Sequence, residues 1–399
     1  MTPAARVQAA IEILDQYLSG TPAEQALTGW ARRSRFAGSK DRAAVRDHVF
    51  GALRCKRSFA ALGGALTGRG LMLGALCATG EDADALFTGV GHAPQPLAPA
   101  ELAAGHAPEP GPEACDIPDW LWPVWCDGLG DKAEQAAHAL QSRAPVHLRV
   151  NLRKATREQA QAALTEEGIE TAPHPAAASA LEVSQGARRI RQSSAYMSGV
   201  VELQDAASQA VVEALPLRDG MRVLDYCAGG GGKTLAMAAR ADICLFAHDA
   251  APRRMADLPA RAKRAGVRVT TLTTRELASQ APFDLILCDV PCSGSGAWRR
   301  SPEGKWALTP EQLAGLNATQ DQILREASAL VGPAGVLAYA TCSVLADENR
   351  DRIQTFCEDV SGWQCGSMQS WSPAGGTDGF FAAHLTSYEN VGLDLRNHG

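Results

Sequence analysis

Residues 222–234 read RVLDYCAGGGGKT. An apolar strand, VLDY at 223–226, runs towards four consecutive glycines, Gly229 to Gly232, and a helical segment then follows. Glycine lets a backbone adopt positive φ and come close to a ligand, and a helix N-terminus presents free N–H groups. The stretch therefore reads as a strand, a ligand-holding turn and a helix.

Such a turn alone serves a dinucleotide, a nucleoside triphosphate or S-adenosylmethionine. A phosphate-binding P-loop would need a glycine where Cys227 stands, four residues before the Gly232-Lys233 pair. Outward from the turn, short apolar runs alternate with helical segments. ICLFAH (243–248), VRVTTL (267–272), FDLILCD (283–289) and GVLAYAT (335–341) read as strands. A helix is predicted from Pro310 to about Val331, with Thr309 as N-cap, Gln312 closing a capping box and Gly332-Pro333 ending it. Alternating strands and helices imply a doubly wound parallel sheet that binds ligands at the carboxyl ends of its strands. Asp249, at the end of the second strand, is suited to hold ribose hydroxyls, whichever nucleoside is bound.

Upstream the composition changes. Residues 1–87 read as all-helical, with Val7, Ile11, Leu14 and Leu18 on one helix face and Gly20 as the stop. Six prolines between Pro94 and Pro112 mark 88–117 as a linker. A small α+β domain is expected over 118–198: VHLRVNL (146–152) alternates like a strand, Thr156 and Gln159 cap a helix to about Glu167, and QGARRIRQ resembles a basic hairpin. The α/β domain then occupies 199–399.

The chain has 46% hydrophobic and 21% charged residues and no apolar run long enough to cross a bilayer, so a cytoplasmic protein without a membrane partner is expected. Its eleven cysteines contain no CxxC pair, which argues against a zinc ribbon, and no metal is expected. The net charge of −6 argues against nucleic-acid binding by overall field. Local basic clusters remain: Arg32 to Arg42, Arg188 to Arg191, Arg253 to Arg264, and Arg299 to Lys305.

Two cysteines follow strand ends. Asp289 leads through Val290 and Pro291 into Cys292, and Thr341 leads into Cys342. In a doubly wound sheet both thiols and the acid open on the face of the Gly-rich turn. Carbon 5 of cytosine is a weak nucleophile; addition of a thiolate to carbon 6 makes it enamine-like, an acid at ring nitrogen 3 stabilises the adduct, and a base must later remove the carbon 5 proton. The attacking thiol needs positive charge or a helix start nearby to ionise.

VELQDAASQAVVEAL (201–215), DYCAGGGGKT (225–234), CDVPCSGSGAWRRSPEGKW (288–306), YATCSVLADEN (339–349) and GTDGFFAAHL (376–385) together resemble the RsmB/NOP/Sun family of RNA cytosine-5 methyltransferases. The resemblance implies a Rossmann-like methyltransferase domain and S-adenosylmethionine as cofactor. It implies Cys342 as nucleophile, Cys292 as the thiol that assists product release, and Asp289 as the acid contacting cytosine and cofactor. By the same resemblance Cys227, Ala228, Gly229, Gly230, Gly231, Gly232 and Lys233 form the cofactor loop, with Asp249 on the ribose. Three positions depart from the family pattern: Gly229-Gly230 replaces Ala-Pro, and Thr273 stands where an Asp near the adenine amino group is usual. RFAGSKDRAAVRDHVFGALRCKRSFAAL (35–62) resembles a NusB-like RNA-binding domain. The expected partner is RNA, ribosomal rather than transfer RNA, bound by a monomer. The basic segments Arg188–Arg191 and Arg299–Lys305 are expected to hold its phosphates. A binding-only ribosome-assembly factor on the same fold, or a nicotinamide-dependent dehydrogenase, are the rival readings; the second leaves both cysteine motifs idle.

Overall fold

A computed structural model describes residues 1–387. They form two compact units, one of Met1–Arg143 with Trp298–Leu308, the other of Ala144–Ala297 with the chain from Thr309 onward.

The first unit is helical, with helices Pro3–Leu18, Ala23–Arg33, Ser39–Arg54, Lys56–Leu62 and Gly68–Thr79. Thr2 caps the first through its side chain, which accepts from Ala5 N, and Val7, Ile11 and Leu14 enter the core with Trp30, Val49 and Leu71. The proline-rich region belongs to this unit: Leu97 packs against its core, and Cys115, Asp116 and Ile117 are buried. Asp116 accepts from Arg57 N at 2.7 Å and Ser58 Oγ at 2.7 Å. Trp298–Leu308 is its outlying segment. Trp298 stacks on Trp125 with ring centroids 6.1 Å apart, and Lys305 Nζ donates to Arg54 O at 3.1 Å.

This corrects the expectation for Arg299–Lys305. Arg299 is 3% exposed and Lys305 1%, so these two side chains are buried, whereas Arg300 between them is exposed. Lys305 Nζ lies over the Trp306 ring, 4.5 Å from its centroid. Burial lowers the Lys305 pKa to about 8, against the opposing pull of Asp116.

The second unit holds two sheets. The smaller has strands β1 (Val146–Val150), β2 (Thr171–Pro173), β3 (Ala180–Val183) and β4 (Val201–Leu203), in antiparallel order β2-β3-β1-β4. Thr156 and Gln159 make the expected capping box, for helix Arg157–Glu166. QGARRIRQ is a different element from the one expected: Ala187–Gln192 is a 3-10 helix, entered through Gly186 at φ 78 and anchored by buried Ile190.

The larger sheet has β5 (Arg222–Asp225), β6 (Cys244–His248), β7 (Thr270–Leu272), β8 (Phe283–Asp289), β9 (Val331–Thr341), β10 (Trp363–Trp371) and β11 (Phe380–Ser387), in order β10-β11-β9-β8-β5-β6-β7. Strands β5 to β9 are parallel and β11 is antiparallel to its neighbours. This is the expected Rossmann-like sheet. Its central strands are apolar on both faces, as helix cover on both sides requires. Helix Pro310–Ser328 carries the Thr309–Gln312 box. It ends earlier than expected, because Val331 pairs with Phe283 and draws Gly332-Pro333 into the exposed start of β9, where a missing N–H costs little.

Candidate active site

Chain order reverses at β5, which has β6 on one side and β8 on the other. Ligands of doubly wound sheets bind at such a point, beyond the carboxyl ends of the strands. The sequence-expected residues all leave strands at that end. Cys227 to Lys233 follow β5, Asp249 follows β6, Thr273 follows β7, Asp289 closes β8 with Cys292 three residues on, and Cys342 follows β9.

The Gly-rich turn needs its glycines unequally. Gly231 lies at φ 81, and a Cβ there would stand 2.3 Å from Leu258 Cδ1. Gly229 lies at φ 50, where a Cβ would stand 3.3 Å from the Arg254 guanidinium, a side-chain end that can shift, and Gly230 meets only the Arg261 guanidinium. Asp249 is buried and shapes the turn from outside: Oδ2 accepts from Gly229 N at 2.9 Å and Oδ1 from Ala251 N at 2.9 Å. Arg254 pairs with it at 3.2 Å. Thr273 donates through N and Oγ1 to Glu276 at 2.8 and 2.7 Å, which lowers the Glu276 pKa and sets a carboxylate beside the threonine.

Asp225 carries Thr234 Oγ1 on one oxygen at 2.6 Å, while its buried Oδ1 has no hydrogen-bond partner among the described residues. Burial raises its pKa to about 7, against the Thr234 bond. A turn of glycines, a helix start at Gly232 and carboxylates from neighbouring strands fit a nucleoside with ribose hydroxyls to donate.

At the reacting end, Lys233 Nζ meets Asp289 Oδ2 at 2.7 Å. Burial opposes the ammonium, but Asp289 outweighs it and the Lys233 pKa is raised; Cys342 also lies within reach of this charge. The sulfurs of Cys292 and Cys342 are 3.4 Å apart. The Cys342 contact, then burial, push the Cys292 thiol well up. Burial also pushes Cys227 up, so that thiol stays protonated.

A polar scaffold holds the two cysteine loops. Ser293 N donates to Glu348 at 2.7 Å, and Gln320 donates to the same carboxylate at 3.1 Å and to Pro291 O at 3.0 Å. Thr341 Oγ1 donates to Asn349 Oδ1 at 2.6 Å, and Asn349 returns a bond to Ser343 O at 3.0 Å. Ser295 and Ser343 hydroxyls meet at 2.8 Å, and Gly296 N donates to Cys342 O at 3.0 Å. Glu348 and Asn349 sit inside the motif YATCSVLADEN, yet nothing in their spacing shows which loop they hold. Arg149, reaching from β1 to Gly232 O at 2.7 Å, is equally hidden in sequence.

The basic clusters differ in what is left for a partner. Arg261 and Arg264 both pair with Glu202, 4% exposed. Arg188, Arg189 and Arg191 are exposed, as are Arg32, Arg33, Arg35 and Lys40 in the first unit. Among the described residues no helix is long and apolar enough to cross a membrane.

Residues 212–386 match the family model of 16S rRNA methyltransferase RsmB/F, and 117–188 match the ferredoxin-like domain of the RsmF/B-like methyltransferases. Ribosomal RNA small subunit methyltransferase B of Salmonella paratyphi A is 33% identical over 284 residues, 67% of this chain and 66% of that relative. The Salmonella heidelberg protein of that name matches to the same extent. The chain thus spans just under two thirds of these relatives' length. Among solved structures, PH0851 covers 97% of this chain and 99% of its own, with TM-score 0.74 at 23% identity. NSun6 from Pyrococcus horikoshii with SFG covers 68% and 98%, with TM-score 0.59 at 18% identity. These two likenesses are of fold.

Proposed function

This chain belongs to the RsmB/F methyltransferase family, and we propose that it methylates carbon 5 of a cytosine in ribosomal RNA, with Cys342 as nucleophile. The observation that carries the reading is the pair of sulfurs 3.4 Å apart, beside an ion pair of Lys233 and Asp289, at the carboxyl ends of adjacent strands. S-adenosylmethionine, the cofactor of this methyltransferase kind, supplies the methyl group when bound. Cys227 to Lys233 would hold it, with Asp249 on the ribose and Thr273 with Glu276 towards the base.

Cys342 adds to carbon 6 of the cytosine. Asp289 contacts the ring at nitrogen 3, anchored by Lys233. The Cys292 thiol enters protonated and is freed of its partner once Cys342 is bonded to the base. After losing its proton to solvent, its thiolate takes the carbon 5 proton, the C–H electrons restore the carbon 5–carbon 6 double bond, and Cys342 leaves as thiolate. The base must be unstacked for a thiol to reach carbon 6 from the ring face.

RNA is held, on this reading, by exposed cations rather than overall charge. Arg188, Arg189 and Arg191 are one patch. In the helical unit, Arg32, Arg33 and Arg35 flank Phe36, 75% exposed, which makes this NusB-like segment a recruiting surface with a ring for stacking.

Bisulfite sequencing of ribosomal and transfer RNA tests this, using cells with the wild-type chain, Cys342→Ala, or no copy. The expected result is one ribosomal cytosine that loses methylation in both altered strains. If no cytosine differs, the catalytic reading falls and a binding-only assembly factor takes its place.

A further inference from the structure

Away from the cysteine loops, two buried histidines and a carboxylate converge where the smaller sheet meets the loop before helix Ala206–Glu213. His147 on β1 pairs in register with Glu182 on β3, and His174 follows β2 directly. The imidazoles are 3% and 6% exposed, with centroids 4.9 Å apart and edge to face. One ligand-type atom from each of His147, His174 and Glu182 lies within 4.8 Å of the other two.

His147 Nδ1 meets Asp205 Oδ2 at 3.1 Å and Ala206 N at 3.3 Å. It cannot donate to one and accept from the other at once. The charge-assisted bond to the carboxylate is the stronger, which puts the proton on Nδ1 and leaves a lone pair on Nε2. That Nε2 is buried and has no hydrogen-bond partner among the described residues. A carboxylate bonded to one nitrogen of an imidazole, with the other nitrogen left unpaired, is the outer arrangement of metal-bound histidine. Asp205 is itself fixed, accepting from Asp378 N at 3.2 Å and Ala207 N at 2.9 Å.

We propose that His147, His174 and Glu182 bind a divalent transition metal of the zinc class, with Asp205 orienting the His147 ring. Two neutral imidazoles and a carboxylate are a ligand set zinc accepts, with a fourth position left for water. Bond lengths of about 2.0–2.1 Å put tetrahedral ligands about 3.4 Å apart, so binding draws the three groups together by roughly an ångström. Ala176 N donates to His174 Nδ1 at 3.2 Å. Metal binding trades this contact, either by using Nδ1 itself or by moving the ring proton there. The metal would tie β1, β2 and β3 to the Asp205 loop, a stabilising site separate from the cysteine chemistry.

The test uses the full chain carrying Cys292→Ser and Cys342→Ser, so the thiol pair cannot take the ion. After chelator treatment, Zn²⁺ is titrated against a chromophoric chelator. One tight equivalent is expected, with a rise in thermal midpoint by mass action. Binding should weaken at least about tenfold in Glu182→Gln, whose side chain is partly exposed, and be lost in His174→Gln. Co²⁺ gives a second readout that needs no variant: ligand-field bands without thiolate-to-metal charge transfer are expected. No tight equivalent, an equivalent that survives both substitutions, or a charge-transfer band would each overturn the site, leaving a packed histidine pair or a cysteine-bound ion.

Discussion

Two sulfurs 3.4 Å apart divide the proposed reaction into attack and release, and single substitutions should separate the stages. Cys292→Ala is expected to accumulate a protein–RNA adduct that survives denaturing electrophoresis, while Cys342→Ala forms none and loses turnover. An adduct in Cys342→Ala would reverse the two roles. Asp225 gives a different signal. Its folded pKa is raised to about 7 from 3.8 by burial, so between those values the native state binds the extra proton. Stability from this group is fully present below pH about 3.8 and falls as pH rises to about 7. Asp225→Asn should flatten that fall, by at most about 4 kcal/mol if the whole difference in pKa is expressed. An unchanged pH–stability curve in chemical denaturation would show that Asp225 ionises freely. The two cysteines and Asp289 were legible in the sequence as residues at strand ends, while their proposed roles came from the family motifs around them. The Lys233–Asp289 pair was not, since the residues lie on different strand–helix crossovers and only folding brings them to 2.7 Å.

Elements were most readable where local chemistry and packing agree. The Thr309–Gln312 box sets the start of helix Pro310–Ser328, and Thr309→Ala should cost about 1 kcal/mol in denaturant unfolding. The end of that helix was misread because Gly332-Pro333 looks like a stop, whereas pairing with β8 claims the segment for β9. The Gly-rich turn is legible as a turn, but the weight on each glycine is not. Gly231→Ala meets both a left-handed backbone and Leu258, and should cost about 2–3 kcal/mol. Gly229→Ala, whose methyl meets only a side-chain end that can shift, should cost less than Gly231→Ala in the same measurement. Equal costs would mean that backbone conformation alone governs the turn.

On the scale of the molecule, the proposed RNA binding by a chain of net charge −6 requires local basic patches. Arg188→Glu with Arg191→Glu should weaken RNA binding and lower the slope of log K against log salt by about 0.7–0.9 for each phosphate no longer neutralised. An unchanged slope would take the patch out of the interface. Lys305→Glu should act otherwise: a buried cation replaced by an anion near Asp116 destabilises the helical unit by at least about 3 kcal/mol, seen as a lowered unfolding midpoint.

From residue order alone come the strand–turn–helix of 222–234, the alternation that demands a parallel sheet, and the cysteines that leave its strands. These follow from periodicity, capping and glycine's freedom, all local properties. Tertiary structure alone decides which charges stay exposed and which groups meet across crossovers. Arg299 and Lys305 look like surface cations in sequence, yet folding buries both. His147, His174 and Glu182 have no ligand spacing along the chain, and it is strand register that brings them together.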